Sequence, residues 1–259
     1  MTPRLIGNTT EELVHDLRDL KLSGMADSLQ LMADNEEEFK NWPWNDRVRN
    51  LIDGQIERRR SNRIAQCLRN AKLRYPAACM EELAFLEERG LSDELLSYVS
   101  LGEWAENRDN LVVMGAAGSG KTYLGCAIGV ALCHKGISVR YTRMDDLLRD
   151  LSDARVSLTY EKVLKKYAAS DVLIVDEFLL SRPAEQQTTD LLALTDKRYM
   201  KGSLMLCTQY PVDEWMPRLC FSESNRAQCE SILDRIVHNA RFVKIDGDVS
   251  MRERMRHIV

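Results

Sequence analysis

Gly115-Ala116-Ala117-Gly118-Ser119-Gly120-Lys121-Thr122 follows the apolar run Leu111 to Met114 and opens the periodic run Tyr123 to Lys135. A strand, a glycine-rich turn and a helix therefore succeed one another, which is the setting a Walker A loop needs. Glycines let the backbone wrap close to an anion, and the loop N–H groups with the helix N-terminus point at α- and β-phosphates. Lys121 is expected to reach the β- and γ-phosphates and the Thr122 hydroxyl to ligate Mg²⁺, so Gly115 to Tyr123 reads as the segment that holds a nucleoside triphosphate.

Downstream, Val172-Leu-Ile-Val-Asp176-Glu177 has the form of a Walker B strand. Asp176 at the strand tip is expected to hold Mg²⁺ and Glu177 to orient or deprotonate the attacking water, since hydrolysis needs one carboxylate for metal and one for water. The candidate strand Ser138 to Thr142 intervenes between the two Walker strands, which points to the additional-strand class of ATPases. The chain contains no Asn-Lys-x-Asp guanine motif, so ATP is preferred over GTP. Strand Ser203 to Thr208 ends in Thr208-Gln209, polar groups placed to sense the γ-phosphate and fix the lytic water, or simply to end a strand.

From about Leu96 short β-rich runs alternate with helical ones, the signature of a parallel α/β sheet. Candidate strands are Leu111 to Met114, Ser138 to Thr142, Val172 to Val175, Ser203 to Thr208 and Phe242 to Ile245. Asp145 to Asp153, Tyr160 to Ala168 and Ala184 to Tyr199 read as helices. The strands are apolar without alternation, as strands buried on both faces are, and the ligand belongs at their carboxyl ends. The expected fold is thus α/β, a five-stranded parallel sheet flanked by helices over residues 96–259, with a small all-α domain over 1–95. The stretch after Ile245 is too short for a helical lid, so little or no C-terminal lid is expected.

The N-terminal part is helical by pattern. Thr9-Thr10-Glu11-Glu12 forms a capping box before Leu13, Leu17 and Leu20. Gly24 reads as a break, and Met25, Leu29 and Met32 as the stripe of a second helix. Asn45 to Asn70 reads as a long helix whose middle, Glu57-Arg58-Arg59-Arg60-Ser61-Asn62-Arg63, has no apolar residue. Trp42 and Trp44 before it suit a hydrophobic clamp at a helix start or a docking edge, and Glu81 to Glu94 reads as an acidic link to the next domain.

The net charge of −4 gives no whole-chain case for nucleic acid, so DNA contact has to come from local patches. Candidates are Arg58, Arg59, Arg60 and Arg63, and on the α/β part Arg149, Arg155, Lys165 and Lys166; for each, a solvated helix face is the plain alternative. Seven cysteines without a Cys-x-x-Cys pair argue against disulfides or a zinc site. No hydrophobic leader and no stretch of ~20 apolar residues is present, so a cytoplasmic protein without a membrane partner is expected.

Asp234-Arg235-Ile236 and Ser250-Met251-Arg252 resemble the arginine finger and the sensor-2 arginine of AAA+ proteins of the initiator and helicase-loader clade. A helix-end ion pair for Arg235 and a solvated tail for Arg252 are the alternatives. Leu20-Lys-Leu-Ser-Gly24-Met25-Ala26-Asp-Ser-Leu29, the segment Asn70-Ala-Lys72-Leu-Arg74-Tyr75-Pro76, and Ile232 to Gly247 resemble IstB-like transposition helper ATPases, from roughly residue 10 to 256. What the resemblance implies is an AAA+ type P-loop ATPase that uses ATP and Mg²⁺, forms a homo-oligomer on duplex target DNA and presents it to a cognate transposase. Arg235 would then complete a neighbour's site. Gln209 departs from the family pattern, where a small residue or asparagine is common. A DnaC-like replicative helicase loader, gripping a helicase and single strands, shares the same core. A P-loop small-molecule kinase would need clamping arginines, which Arg140, Arg143, Arg149 and Arg155 imitate loosely.

Overall fold

The computed structural model describes residues 9–247 and 250–254, with the side chains of Arg252 and Arg254 outside the description. The chain divides into two compact units, 1–66 and 67–259. Residues 67–95, expected with the helical part, pack with the larger unit. The cause is visible in their side chains: Cys67, Ala71, Leu73, Ala78, Leu83 and Leu91 are buried in that unit's core.

The smaller unit contains α1 (Thr10–Asp19), α2 (Ser23–Asp34), α3 (Glu36–Phe39) and most of α4 (Trp44–Ala71). Thr9 caps α1, its hydroxyl accepting from the Glu12 amide at 3.3 Å. Gly24 does not break the chain; it lies inside α2. A Cβ there would stand 2.4 Å from the Gly54 carbonyl oxygen and 2.6 Å from the Gln55 Cα, so glycine serves a close helix approach. At the same contact the buried Gln55 side chain accepts from the Gly24 amide at 2.9 Å, satisfying one of the open N–H groups that begin α2. Arg47 donates to the carbonyls of Phe39 and Lys40, each at 2.8 Å, and fixes the turn before α4, where Phe39 and Trp42 meet edge to face.

The larger unit opens with α5 (Asp93–Leu101) and α6 (Glu103–Glu106). It then alternates β1 (Asn110–Gly115), α7 (Lys121–His134), β2 (Val139–Arg143), α8 (Met144–Val156), α9 (Tyr160–Ala168), β3 (Val172–Phe178), α10 (Glu185–Arg198) and β4 (Ser203–Thr208). It closes with α11 (Trp215–Leu219), α12 (Arg226–Val237), β5 (Ala240–Ile245) and α13 (Met251–Arg254). All five strands are parallel, in the order β2-β3-β4-β1-β5. The strand that separates the two Walker strands in space is β4, whereas β2 intervenes only along the chain and pairs outside β3. This is the P-loop, AAA+ type α/β fold.

Alternate strand residues feed two cores, one on each sheet face. Leu111, Val113, Ile174, Met205 and Cys207 pack with α7 and the 67–105 segment, while Val112, Leu173, Val175, Leu204 and Leu206 pack with the side of α8 to α12. The strand runs are therefore continuously apolar. Edge strand β5 is the exception, with Arg241, Phe242 and Lys244 exposed and Val243 and Ile245 buried. No helix among the described residues is long and apolar enough to cross a membrane.

Candidate nucleotide site

The turn after β1 holds left-handed backbone at Gly118 (φ 78°) and Gly120 (φ 90°), conformations that glycine adopts without steric cost. Helix α7 starts at Lys121, so its N-terminal amides open onto the loop. Lys121 is buried, and its ammonium donates to the carbonyls of Gly115 at 2.7 Å and Ala116 at 2.6 Å. Burial pulls its pKa below the ordinary lysine value. A desolvated cation curled on a loop of amides is prepared for an anion.

Asp176 and Glu177 sit at the carboxyl end of β3. The Thr122 hydroxyl and the Tyr141 hydroxyl each donate to Asp176 Oδ2 at 2.8 Å, and the Glu177 amide donates to Oδ1 at 3.0 Å. Asp176 is buried, and burial first, then the Asp176 charge, push the Tyr141 phenol upward in pKa. A hydroxyl and a single carboxylate side by side suit Mg²⁺, which takes few protein oxygens and completes its shell with phosphate and water. Among the described residues there is no group of three or more His, Cys, Asp or Glu side chains that could hold a metal ion.

Glu177 adopts left-handed backbone (φ 56°), uncommon for a residue with a side chain. The Arg143 Nε donates to its Oε2 at 2.8 Å, joined by Nη2 on the same oxygen, and Arg74 Nη1 lies 4.0 Å from Oε1.

Lys121, Thr122, Glu177 and Arg74 open on a cleft of about 720 Å³. One wall comes from residues 75–89, of which those from Glu81 onward are expected from sequence to be an acidic link. Tyr75, Leu83 and Ala84 line it, with the Tyr75 and Tyr123 rings 5.9 Å apart. Tyr123 donates to Glu82 at 2.8 Å and accepts from the Cys79 amide at 3.3 Å. Arg89 ties the wall to the loop, donating to the Ala84 carbonyl at 3.1 Å and the Ser119 carbonyl at 3.0 Å. At the other side the Met251 amide donates to the Gly118 carbonyl at 2.9 Å, so α13 begins against the phosphate loop. The side chain of Arg252 lies outside the description.

Thr208 and Gln209 lie outside the cleft walls. The Thr208 hydroxyl, expected at the γ-phosphate, is buried and donates to the Phe178 carbonyl at 2.9 Å, since the register shift between Val175 and Phe178 near the end of β3 pairs Phe178 with Thr208. Gln209 is exposed.

Arg235 stands at the opposite end of the sheet. The Asn110 side-chain amide at the start of β1 donates from Nδ2 to the Arg235 carbonyl at 3.1 Å, and the Walker loop begins where β1 ends, roughly 16 Å further along the strand. Its guanidinium pairs with Asp196 at 2.6 Å and donates to the Ser231 carbonyl at 2.8 Å.

The candidate DNA-contacting cations have unequal surroundings. Arg155 is exposed, but its guanidinium is bound to the buried Asp190 and lies 4.0 Å from the Tyr160 ring centre. Arg149 pairs with Asp146 and Arg58 with Asp27, both at the surface. Arg59, Arg60, Arg63, Lys165 and Lys166 are exposed.

A family model described as "IstB-like ATP binding protein" matches residues 15–258. An ATP-binding protein of an insertion sequence in Sinorhizobium fredii, y4uH, is 34% identical over 91% of this chain and 92% of its own length. The corresponding protein of insertion sequence IS1162 in Pseudomonas fluorescens is 32% identical over 78% and 87%. Among solved structures, DnaI is similar with a TM-score of 0.57 at 16% identity, covering 70% of this chain and 94% of that one. The DnaC helicase loader follows at 0.52 and 19%, covering 67% and 99%. At these identities the structural likeness concerns the fold.

Proposed function

The chain belongs to the IstB-like ATP binding protein family, and from that premise we propose that it is the ATP-hydrolysing helper of an insertion sequence, which assembles on duplex DNA and delivers it to a partner transposase. The observation that carries this reading is the convergence of Lys121, Thr122, Asp176 and Glu177 at the carboxyl ends of β1 and β3. ATP is the expected occupant, its triphosphate on the loop amides and Lys121. Thr122 and Asp176 would hold Mg²⁺, which when bound would supply charge neutralisation for the triphosphate. Glu177 orients the attacking water and accepts its proton.

Arg235 supports a shared site. It is too far from its own chain's loop to touch a γ-phosphate, so it would serve a neighbouring subunit in trans. Oligomerisation on DNA then couples to turnover. The exposed arginines of α4 and Lys165 with Lys166 supply the phosphate contacts, which carry little sequence information, so target choice is loose.

The test is imaging of the protein with a non-hydrolysable ATP analogue, with and without a duplex. Ordered multimers along the duplex are expected. Monomers under both conditions would overturn the reading.

A further inference from the structure

The turn that follows β3 is built against backbone preference. Glu177 and Leu179 both adopt left-handed backbone, at φ 56° and 57°, and neither is glycine. The Leu180 amide donates to the Glu177 carbonyl at 3.0 Å, so Leu179 occupies the third position of a β-turn, where positive φ ordinarily calls for glycine or asparagine. Such residues persist in this conformation only where their surroundings hold them. Glu177 lines the nucleotide cleft, so the turn decides where its carboxylate stands.

The holding groups come from the segment after β4. The carbonyls of Phe178, Leu179 and Leu180 are each taken by a side chain from that segment. Thr208 donates to the first at 2.9 Å, and Arg218 donates through Nε to the second at 2.8 Å and through Nη2 to the third at 3.0 Å. A planar guanidinium spans two successive carbonyls as a compact ammonium does not. Arg218 is itself fixed, its guanidinium carbon 3.4 Å from the Tyr210 ring centre. The Trp215 indole donates to the Tyr210 carbonyl at 2.9 Å, and the Trp215 ring meets Phe178 edge to face at 5.1 Å. On the other side the Leu179 amide donates to the Met144 sulfur at 3.0 Å. Arg218 itself is not among the residues lining the cleft.

We propose that Arg218 is a positioning residue for ATP hydrolysis, clamping the turn from Glu177 to Leu180 in its left-handed form and so aiming the Glu177 carboxylate at the cleft. Without the clamp the turn relaxes toward ordinary backbone and the carboxylate swings. Lys121 and Thr122 lie on α7, and Asp176 is bonded by Thr122 and Tyr141, so these groups keep their places. Binding and turnover then separate, because the triphosphate stays while the attacking water loses its alignment. A misplacement of about 1 Å at such a group costs about a hundredfold in rate. This role rests on the reading that Glu177 serves hydrolysis, and adds a residue that acts on it only through the backbone.

The experiment is ATP hydrolysis by the full chain, in steady state and in single turnover, alongside binding of a fluorescent ATP analogue and urea unfolding. Arg218→Met keeps an apolar stem on Tyr210 and loses both donors. Its kcat is expected to fall by about 10- to 100-fold, with KM and analogue affinity within about twofold of native. Arg218→Lys, which can serve only one of the two carbonyls well, falls between. The deciding measurement is a double-substitution cycle with Glu177→Gln. On that background Arg218→Met costs nothing further, because the group it places is already gone.

A loss in Arg218→Met that multiplies with that of Glu177→Gln overturns the inference and makes Arg218 an ordinary tie of the fold. An unchanged kcat in Arg218→Met, or equal losses of kcat and ATP affinity, does the same. Should Arg218→Met not fold, the cycle with Arg218→Lys decides on the same terms. A native chain without ATP hydrolysis, or a Glu177→Gln chain that turns over at the native rate, brings down the functional reading itself. That result is distinct from normal hydrolysis that is indifferent to Arg218.

Discussion

Arg235 sets two physical accounts against each other at a single side chain. It is partly buried, paired with Asp196 at 2.6 Å and 5.9 Å from the Tyr199 ring centre, so a purely structural ion pair explains its geometry. Such a partly exposed pair is worth little, about 0–1 kcal/mol. A cation completing a neighbour's transition state is worth roughly 10³ to 10⁵ in rate, about 4–7 kcal/mol of barrier. The two magnitudes are far enough apart to decide. Arg235→Ala is expected to reduce turnover by at least about a thousandfold with ATP affinity retained, and Asp196→Ala, which breaks the same pair, to leave turnover within a few-fold. Equal, small effects of both substitutions on kcat would return Arg235 to a structural role.

At the scale of elements, the contact of α2 with α4 inverts an ordinary rule. Glycine inside a helix normally costs about 1 kcal/mol relative to alanine. At Gly24 an added Cβ would stand 2.4 Å from the Gly54 carbonyl oxygen, and room could be made only by parting the helices and loosening the Gln55 bonds to the start of α2. Gly24→Ala is therefore expected to destabilise the helical unit by about 1–3 kcal/mol, read from urea unfolding followed by helical circular dichroism. A stabilised variant would show that the approach is looser than drawn. The same glycine marks what sequence could and could not convey. Period and composition made β4 and α9 legible to the residue, and α4 to within one, because apolar spacing is a local property. The Walker loop and the Asp176-Glu177 pair were legible because phosphate and metal chemistry demand fixed residue types at fixed spacing. Gly24 read as a break because its partner Gly54 is distant in sequence. The wall from Tyr75 to Arg89 has no period at all, and the acids from Glu81 onward resemble a link between domains; only the tertiary contacts of Tyr123 and Arg89 show that it faces the cleft. Arg143 beside Glu177 was hidden for the same reason, since β2 and β3 pair in register across a long connection. Arg198 is a further instance, a fully buried arginine that donates to the carbonyls of Tyr167, Ser170 and Ser203 among others, with a pKa pushed down to about 10 by burial.

For the molecule as a whole, the groups that would meet a triphosphate all lie within residues 67–259, whereas the arginines of α4 from Arg58 to Arg63 belong to the smaller unit. Nucleotide binding energy should therefore appear as added stability of the larger unit. A ligand at a hundred times its Kd adds about 2.7 kcal/mol to the folded state, and a domain of this size gains roughly 2–4 °C per kcal/mol. Saturating ATP with Mg²⁺ is thus expected to raise the calorimetric transition of the larger unit by about 5–10 °C. The shift should shrink when chelation removes Mg²⁺, because Thr122 and Asp176 would then face the triphosphate as a hydroxyl and an uncompensated carboxylate. It should vanish in Lys121→Ala, where the buried ammonium that the loop holds for an anion is gone. An equal shift from ATP in the Lys121→Ala chain would mean that the triphosphate is held elsewhere, and the assignment of the cleft would fall with it.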